Sequence, residues 1–157
     1  MKLNSMLCGM VAVVATLVSA GAFAEHTEQH KVVNGVGIYL GVLPAAMIQE
    51  QPKPVTEAEM RHRAPPGKHQ YHVTVSLFDN ASGKRITDAK VTAHVYEINL
   101  AGKQKKLEPM LIADTISYGN YFNMPATNNP YRIRVRIERP GIRGVIVAQF
   151  EYQHPRT

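Results

Sequence analysis

The run "YRIRVRIER", residues 131–139, alternates apolar and charged side chains with a period of two. Tyr131, Ile133, Val135 and Ile137 fall on one side, and Arg132, Arg134, Arg136 and Glu138 on the other. Side chains along a strand point to opposite faces in turn, whereas a helix brings together residues three and four apart. A helix would scatter this set around its circumference. The run therefore reads as a half-buried antiparallel strand with one face in a core and one in water. Three more runs repeat the pattern. In "HQYHVTVSLFD" (69–79), Tyr71, Val73, Val75 and Leu77 oppose Gln70, His72, Thr74 and Ser76. In "KVTAHVYE" (90–97), Val91, Ala93 and Val95 oppose Thr92, His94 and Tyr96. In "GVIVAQFEYQH" (144–154), Ile146, Ala148, Phe150 and Tyr152 share a face.

Turn residues separate these runs: Asn34-Gly35, Pro65-Pro66-Gly67, Ser82-Gly83, Ala101-Gly102, Asn128-Asn129-Pro130 and Pro140-Gly141. Short alternating strands at such spacing predict an all-β protein, an immunoglobulin-like antiparallel sandwich of about seven strands. Three hairpins are expected. One turns at Asn34-Gly35, one at 82–84 between the 69–79 and 89–98 runs, and one at Pro140-Gly141. The segment 49–68, "QEQPKPVTEAEMRHRAPPGK", is polar and holds four prolines, so it reads as a long mobile loop before the core strands. Thr56 and Glu59 match a capping box for a helical turn over 56–63, which Pro65 would end.

The beginning of the chain has a different character. Lys2 precedes the apolar stretch "MLCGMVAVVATLVSAG", and Ala22-Phe23-Ala24 supplies small residues where a signal peptidase reads. This is the three-part pattern of a secretory signal, with cleavage expected after Ala24. The apolar stretch is shorter than the roughly 20 residues that span a bilayer, and no basic stop follows it. Residues 25–157 then form one exported domain without a transmembrane segment. The one cysteine, Cys8, lies in the signal, so neither a disulfide nor a thiol nucleophile is expected in the domain. The formal charge of +6 suits an acidic partner or a membrane surface as well as ordinary solubility. Nucleic acid is not expected as a partner at an exported address.

Chemistry is concentrated in histidine and methionine. Imidazole suits copper and zinc, and thioether sulfur selects cuprous copper. The densest group is Met60, His62, His69 and His72, within "MRHRAPPGKHQYH". His72 and His94 offer a second arrangement, as outward residues of two strands expected to be hairpin neighbours. His69 and His154 offer a third, each having the parity of the buried side at a strand end. Met110 and Met124 read as core fillers. Arg132, Arg134 and Arg136 form a cationic row suited to an anionic ligand, phospholipid head groups or an acidic partner. Glycine-rich phosphate loops, G-x-S-x-G and H-E-x-x-H are all absent, so the expected role is not catalytic.

The segments "HVTVSLFDNASGKRITDAKVTAHV", "YGNYFNMP" and "YRIRVRIERPG" together resemble small exported immunoglobulin-like domains of bacteria, the YtkA-like and FixH-like domains. The resemblance extends more distantly to copper carriers of the CopC type, and covers residues 70 to about 150. It implies a sandwich fold; the signal sequence implies a periplasmic address. The reading that follows is a periplasmic binding or accessory module handling copper through Met60, His62, His69, His72 and His94. The alternative is a structural or protein-interaction domain of the envelope, with no metal, that meets a protein partner through Arg132, Arg134 and Arg136.

Overall fold

The structure is a computed structural model and describes residues 28–49, 65–112 and 114–155. The signal over 1–24, the helical turn over 56–63, Met60 and His62 lie outside the described residues.

Eight strands form among the described residues: β1 His30–Val33, β2 Val36–Pro44, β3 Gln70–Asp79, β4 Lys90–Glu97, β5 Lys103–Ile112, β6 Thr115–Asn123, β7 Tyr131–Glu138 and β8 Ile146–Tyr152. One short helix, α1 Ala45–Gln49, follows β2. The strands hydrogen-bond in the order β1-β2-β3-β6-β5-β4-β7-β8, every pair antiparallel. The sheet folds over into a sandwich, and its two end strands, β1 and β8, come into contact. There the Lys31 ammonium sits 5.7 Å from the centre of the Phe150 ring.

Strand β5 belongs to both layers. Lys103–Leu107 pairs with β4, and Glu108–Ile112 pairs with β6. The change of partner falls beside Pro109, which has no amide hydrogen to donate to a ladder. Across the switch the buried positions are Leu107 and Met110, three apart rather than two. This broken period explains why "KQKKLEPMLI" carries no alternation signal and why eight strands form where about seven are expected.

The alternating runs place their apolar faces as predicted. Val73, Val75 and Leu77 from β3 meet Val91, Ala93 and Val95 from β4, Ile133, Val135 and Ile137 from β7, and Ala148 and Phe150 from β8 in one core. Met124 is fully buried in it, as a core filler should be. The β1–β2 hairpin turns at Asn34 and Gly35 with φ of 49° and 75°. Both central residues of a two-residue hairpin of this twist need positive φ, which is why asparagine and glycine stand there.

The expected β3–β4 hairpin does not form. The turn at 82–84 is present: Gly83 donates its amide to the Asp79 carbonyl at 2.8 Å, and Asp79 donates its own to Lys84 O at 2.8 Å. The Asp79 carboxylate accepts from the Ser82 hydroxyl at 2.7 Å and the Ser82 amide at 2.8 Å. These bonds hold the Asp79 carboxyl below the usual range. Beyond the turn, pairing with β3 stops after one bridge, Phe78 to Arg85. Ile86 is buried in the core, and the chain crosses to the other layer, where β4 pairs with β5 and β7. Burying Ile86 prevails over extending the ladder.

Candidate metal centre

The outer face of the layer containing β3 and β6 is unusual in being closed. Cross-strand pairs place His72 opposite Tyr121 and Thr74 opposite Gly119. On the other side of β6, Met110 stands opposite Ser117. A solvated face was expected here, yet His72 is 6% exposed, Tyr121 5%, Ser117 4% and Met110 3%. His72 stacks on the Tyr121 ring with centroids 4.6 Å apart and planes at 27°.

Gly119 opens the space that His72 and Met110 share. A Cβ on Gly119 would lie 2.7 Å from His72 Nε2 and 3.0 Å from Met110 Sδ. The imidazole nitrogen and the thioether sulfur thus converge over a bare stretch of backbone, one from each strand flanking β6. Isolated glycine inside a strand commonly marks such a close approach. At one end the face is closed by Arg85, whose guanidinium donates to Ile116 O and Ser117 Oγ, each at 3.1 Å. Ser76 and Ser117 hydroxyls are 2.8 Å apart beneath it.

This pairing differs from each arrangement expected from the sequence. The His72–His94 pair does not exist, because β3 and β4 lie in different layers. His94 stands on the outer face of the opposite layer, stacked on Tyr96 at 4.7 Å, with Nε2 2.7 Å from the Ala101 carbonyl oxygen. His69 is exposed, just ahead of β3, and its carbonyl accepts the Met124 amide at 2.7 Å. Met110 is the residue that reading by alternation misses. It is buried as a filler would be, but on the outer face, because β5 changes layer beside Pro109. Two features mark it in the sequence: Gly119 inside a strand run, and a proline directly before the methionine. Among the described residues, no three histidine, cysteine, aspartate or glutamate side chains gather as a metal-binding group. The donor set at Gly119 is of another kind, one imidazole and one thioether.

His154 keeps the buried parity expected of it. It is 7% exposed, in a cage of Tyr71, Tyr152 and Tyr131 with centroids at 4.8, 5.1 and 5.7 Å. Its Nε2 is buried with no hydrogen-bond partner among the described residues. Burial pushes the imidazole below its ordinary value of 6.5; the Met124 and Pro125 carbonyls oppose that shift, and His69 adds to it. The neutral form is therefore favoured by folding. The unfolded chain binds the extra proton first as pH falls, so stability is full above pH 6.5 and declines from there down to the depressed folded value. Urea midpoints measured from pH 7.5 to 5 should fall for the wild type. The His154→Phe variant, which keeps a ring in the cage without a titrating group, should show a flatter profile. Equal slopes would remove His154 as the cause.

The arginines stand on the outer face of the layer containing β7, as read from the sequence. Arg132 pairs with Glu151 at 3.2 Å and Arg136 with Glu138 at 3.7 Å. Arg134 lies over the Tyr96 ring at 5.8 Å and donates to its hydroxyl at 3.4 Å.

No protein-family model matches the chain, and no curated protein matches it. In fold it is similar to chains of known structure, among them two structures of FetP from uropathogenic Escherichia coli. The as-isolated protein, recombinantly expressed in the periplasm, aligns with a TM-score of 0.54 and 16% identity, covering 81% of this chain and 94% of that one. A copper-bound variant aligns with a TM-score of 0.51 and 13% identity, over 78% and 93%. At this identity the likeness concerns the fold. Among the described residues, no helix is long and apolar enough to cross a membrane.

Proposed function

We propose that this chain is a non-catalytic periplasmic module that binds copper through His72 and Met110 over Gly119. The observation that carries the reading is the convergence of His72 Nε2 and Met110 Sδ on the space left by one missing side chain. Neutral imidazole and thioether together suit a soft, monovalent ion, and thioether sulfur favours cuprous copper over zinc. The copper-bound state of a protein of similar fold supports the same ion. His72 would supply a σ-donor held in orientation by its stack on Tyr121. Met110 would supply the soft ligand that selects against harder ions. In this reading the ion is carried rather than used in a reaction.

The test is a competition titration with a chromophoric cuprous chelator under reducing, oxygen-free conditions. His72→Ala and Met110→Leu should each weaken binding at least about tenfold, since even residues that only orient a metal ligand are worth that much. His69→Ala and His94→Ala should leave it unchanged. Wild-type affinity in both His72→Ala and Met110→Leu would end the proposal. A loss confined to His69→Ala and His94→Ala would move the site elsewhere.

A further inference from the structure

A second recessed site lies on the opposite outer face and is independent of the copper reading. It is a shallow pocket of about 270 Å³ lined by Thr92, His94, Gln104, Arg134, Arg136 and Val147. The register builds it from four adjacent strands: His94 stands opposite both Gln104 of β5 and Arg134 of β7, and Arg136 stands opposite both Thr92 of β4 and Val147 of β8. Among the described residues, no carboxylate lines it. Two guanidinium groups, an imidazole, a hydroxyl and a carboxamide do.

The three arginines of β7 differ in how their charge is met. Arg132 lies outside the pocket lining and already has Glu151 at 3.2 Å. Arg136 has only a long contact with Glu138, at 3.7 Å. Arg134 makes no ion pair among the described residues; its contacts are the ring and hydroxyl of Tyr96. Alternate positions on one strand set these like charges close enough to repel in a folded sheet. An anion between Arg134 and Arg136 would offset that repulsion. The planar fork of guanidinium is suited to phosphate-like oxyanions, and threonine hydroxyl and glutamine amide add neutral donors. His94 is held by its Nε2 contact with the Ala101 carbonyl, so the ring wall of the pocket is fixed before any ligand arrives.

We infer that Thr92, His94, Gln104, Arg134 and Arg136 form a binding site for a phosphate-class oxyanion. The anion reaches such a site either as a free ion or as the head group of an acidic phospholipid, and the experiment separates the two. Inorganic phosphate is titrated into the purified protein at constant ionic strength while backbone amide shifts are followed by NMR. In parallel, the protein is sedimented with phosphatidylglycerol vesicles and with phosphatidylcholine vesicles as a neutral reference. Saturable phosphate shifts centred on residues 92, 94, 104, 134 and 136 are expected. Arg134→Ala and Arg136→Ala should each weaken binding at least about tenfold, the worth of one hydrogen bond to a charged group. Arg132→Ala, which removes the same charge outside the pocket, should bind like the wild type. If free phosphate does not bind but phosphatidylglycerol vesicles do, with the same ranking of variants, the ligand is the lipid head group. The inference is overturned if neither probe binds, or if Arg132→Ala weakens binding as much as Arg134→Ala. The latter would make the effect one of net charge alone. All three side chains point to solvent, so melting temperatures of the variants should stay close to wild type and show that they remain folded.

Discussion

Phe150→Ala is expected to destabilise the protein by about 3–5 kcal/mol, the usual cost of deleting a fully buried aromatic ring. Phe150 is 1% exposed and packs from β8 opposite Ile133 of β7. Its position adds to its weight. It sits where the two end strands of the sheet meet, with Lys31 of β1 reaching over its ring. Removing the ring leaves a cavity and also takes away the surface that β1 packs against. Single domains are typically held by about 5–15 kcal/mol, so this one change removes a large share. Urea denaturation followed by circular dichroism should show a much lower midpoint. Val147→Thr, on the outward face of the same strand, should stay within about 0.5 kcal/mol of wild type. An unchanged midpoint for Phe150→Ala would mean that β8 is not part of the core.

Gly119→Ala is expected to damage the proposed copper site without replacing His72 or Met110. The added methyl would stand 2.7 Å from His72 Nε2 and 3.0 Å from Met110 Sδ, inside normal contact distance for both. His72 is buried and stacked on Tyr121, so its ring has little freedom to swing aside. Overpacking of this kind costs about 1–3 kcal/mol. The functional effect should be of at least similar size: cuprous affinity should drop by at least about tenfold, because a ligand displaced by even an ångström no longer meets its partner. Thermal melting and the chelator competition measure the two effects separately. If Gly119→Ala binds cuprous copper as the wild type does, His72 and Met110 do not form the site.

Much of the sandwich is legible in the sequence because its core strands obey a strict period. Every inward residue read from the 69–79, 90–97, 131–138 and 146–152 runs is partly or fully buried. The β1–β2 and β7–β8 hairpins are legible from turn residues whose backbone demands are local. Pairing between distant strands is not. Whether β3 continues into a hairpin or crosses to the other layer depends on Ile86 finding a place in a core that no local window contains. The site fails to show for the same reason. His72 alternates outward like any solvated histidine, and Met110 looks like filler, because nothing nearby in sequence states that β6 lies between them with a glycine at that height. Arg132, Arg134 and Arg136 were readable as a row; that only two of them line a pocket depends on where Glu151 and Gln104 fall on neighbouring strands.

The shared strand β5 has a consequence for how the molecule comes apart. Its first half completes one layer and its second half the other. Pulling it away would strip β4 and β6 of a neighbour together, so opening at β5 should loosen both layers at once. The chain has a single cysteine and hence no internal disulfide to tie its layers. A continuous backbone through both does that work instead. Partial opening is the usual route by which proteases find a cleavable segment in a native domain. Here the strands around β5 should become cleavable only when the whole sandwich unfolds, and resistance to digestion should track global stability.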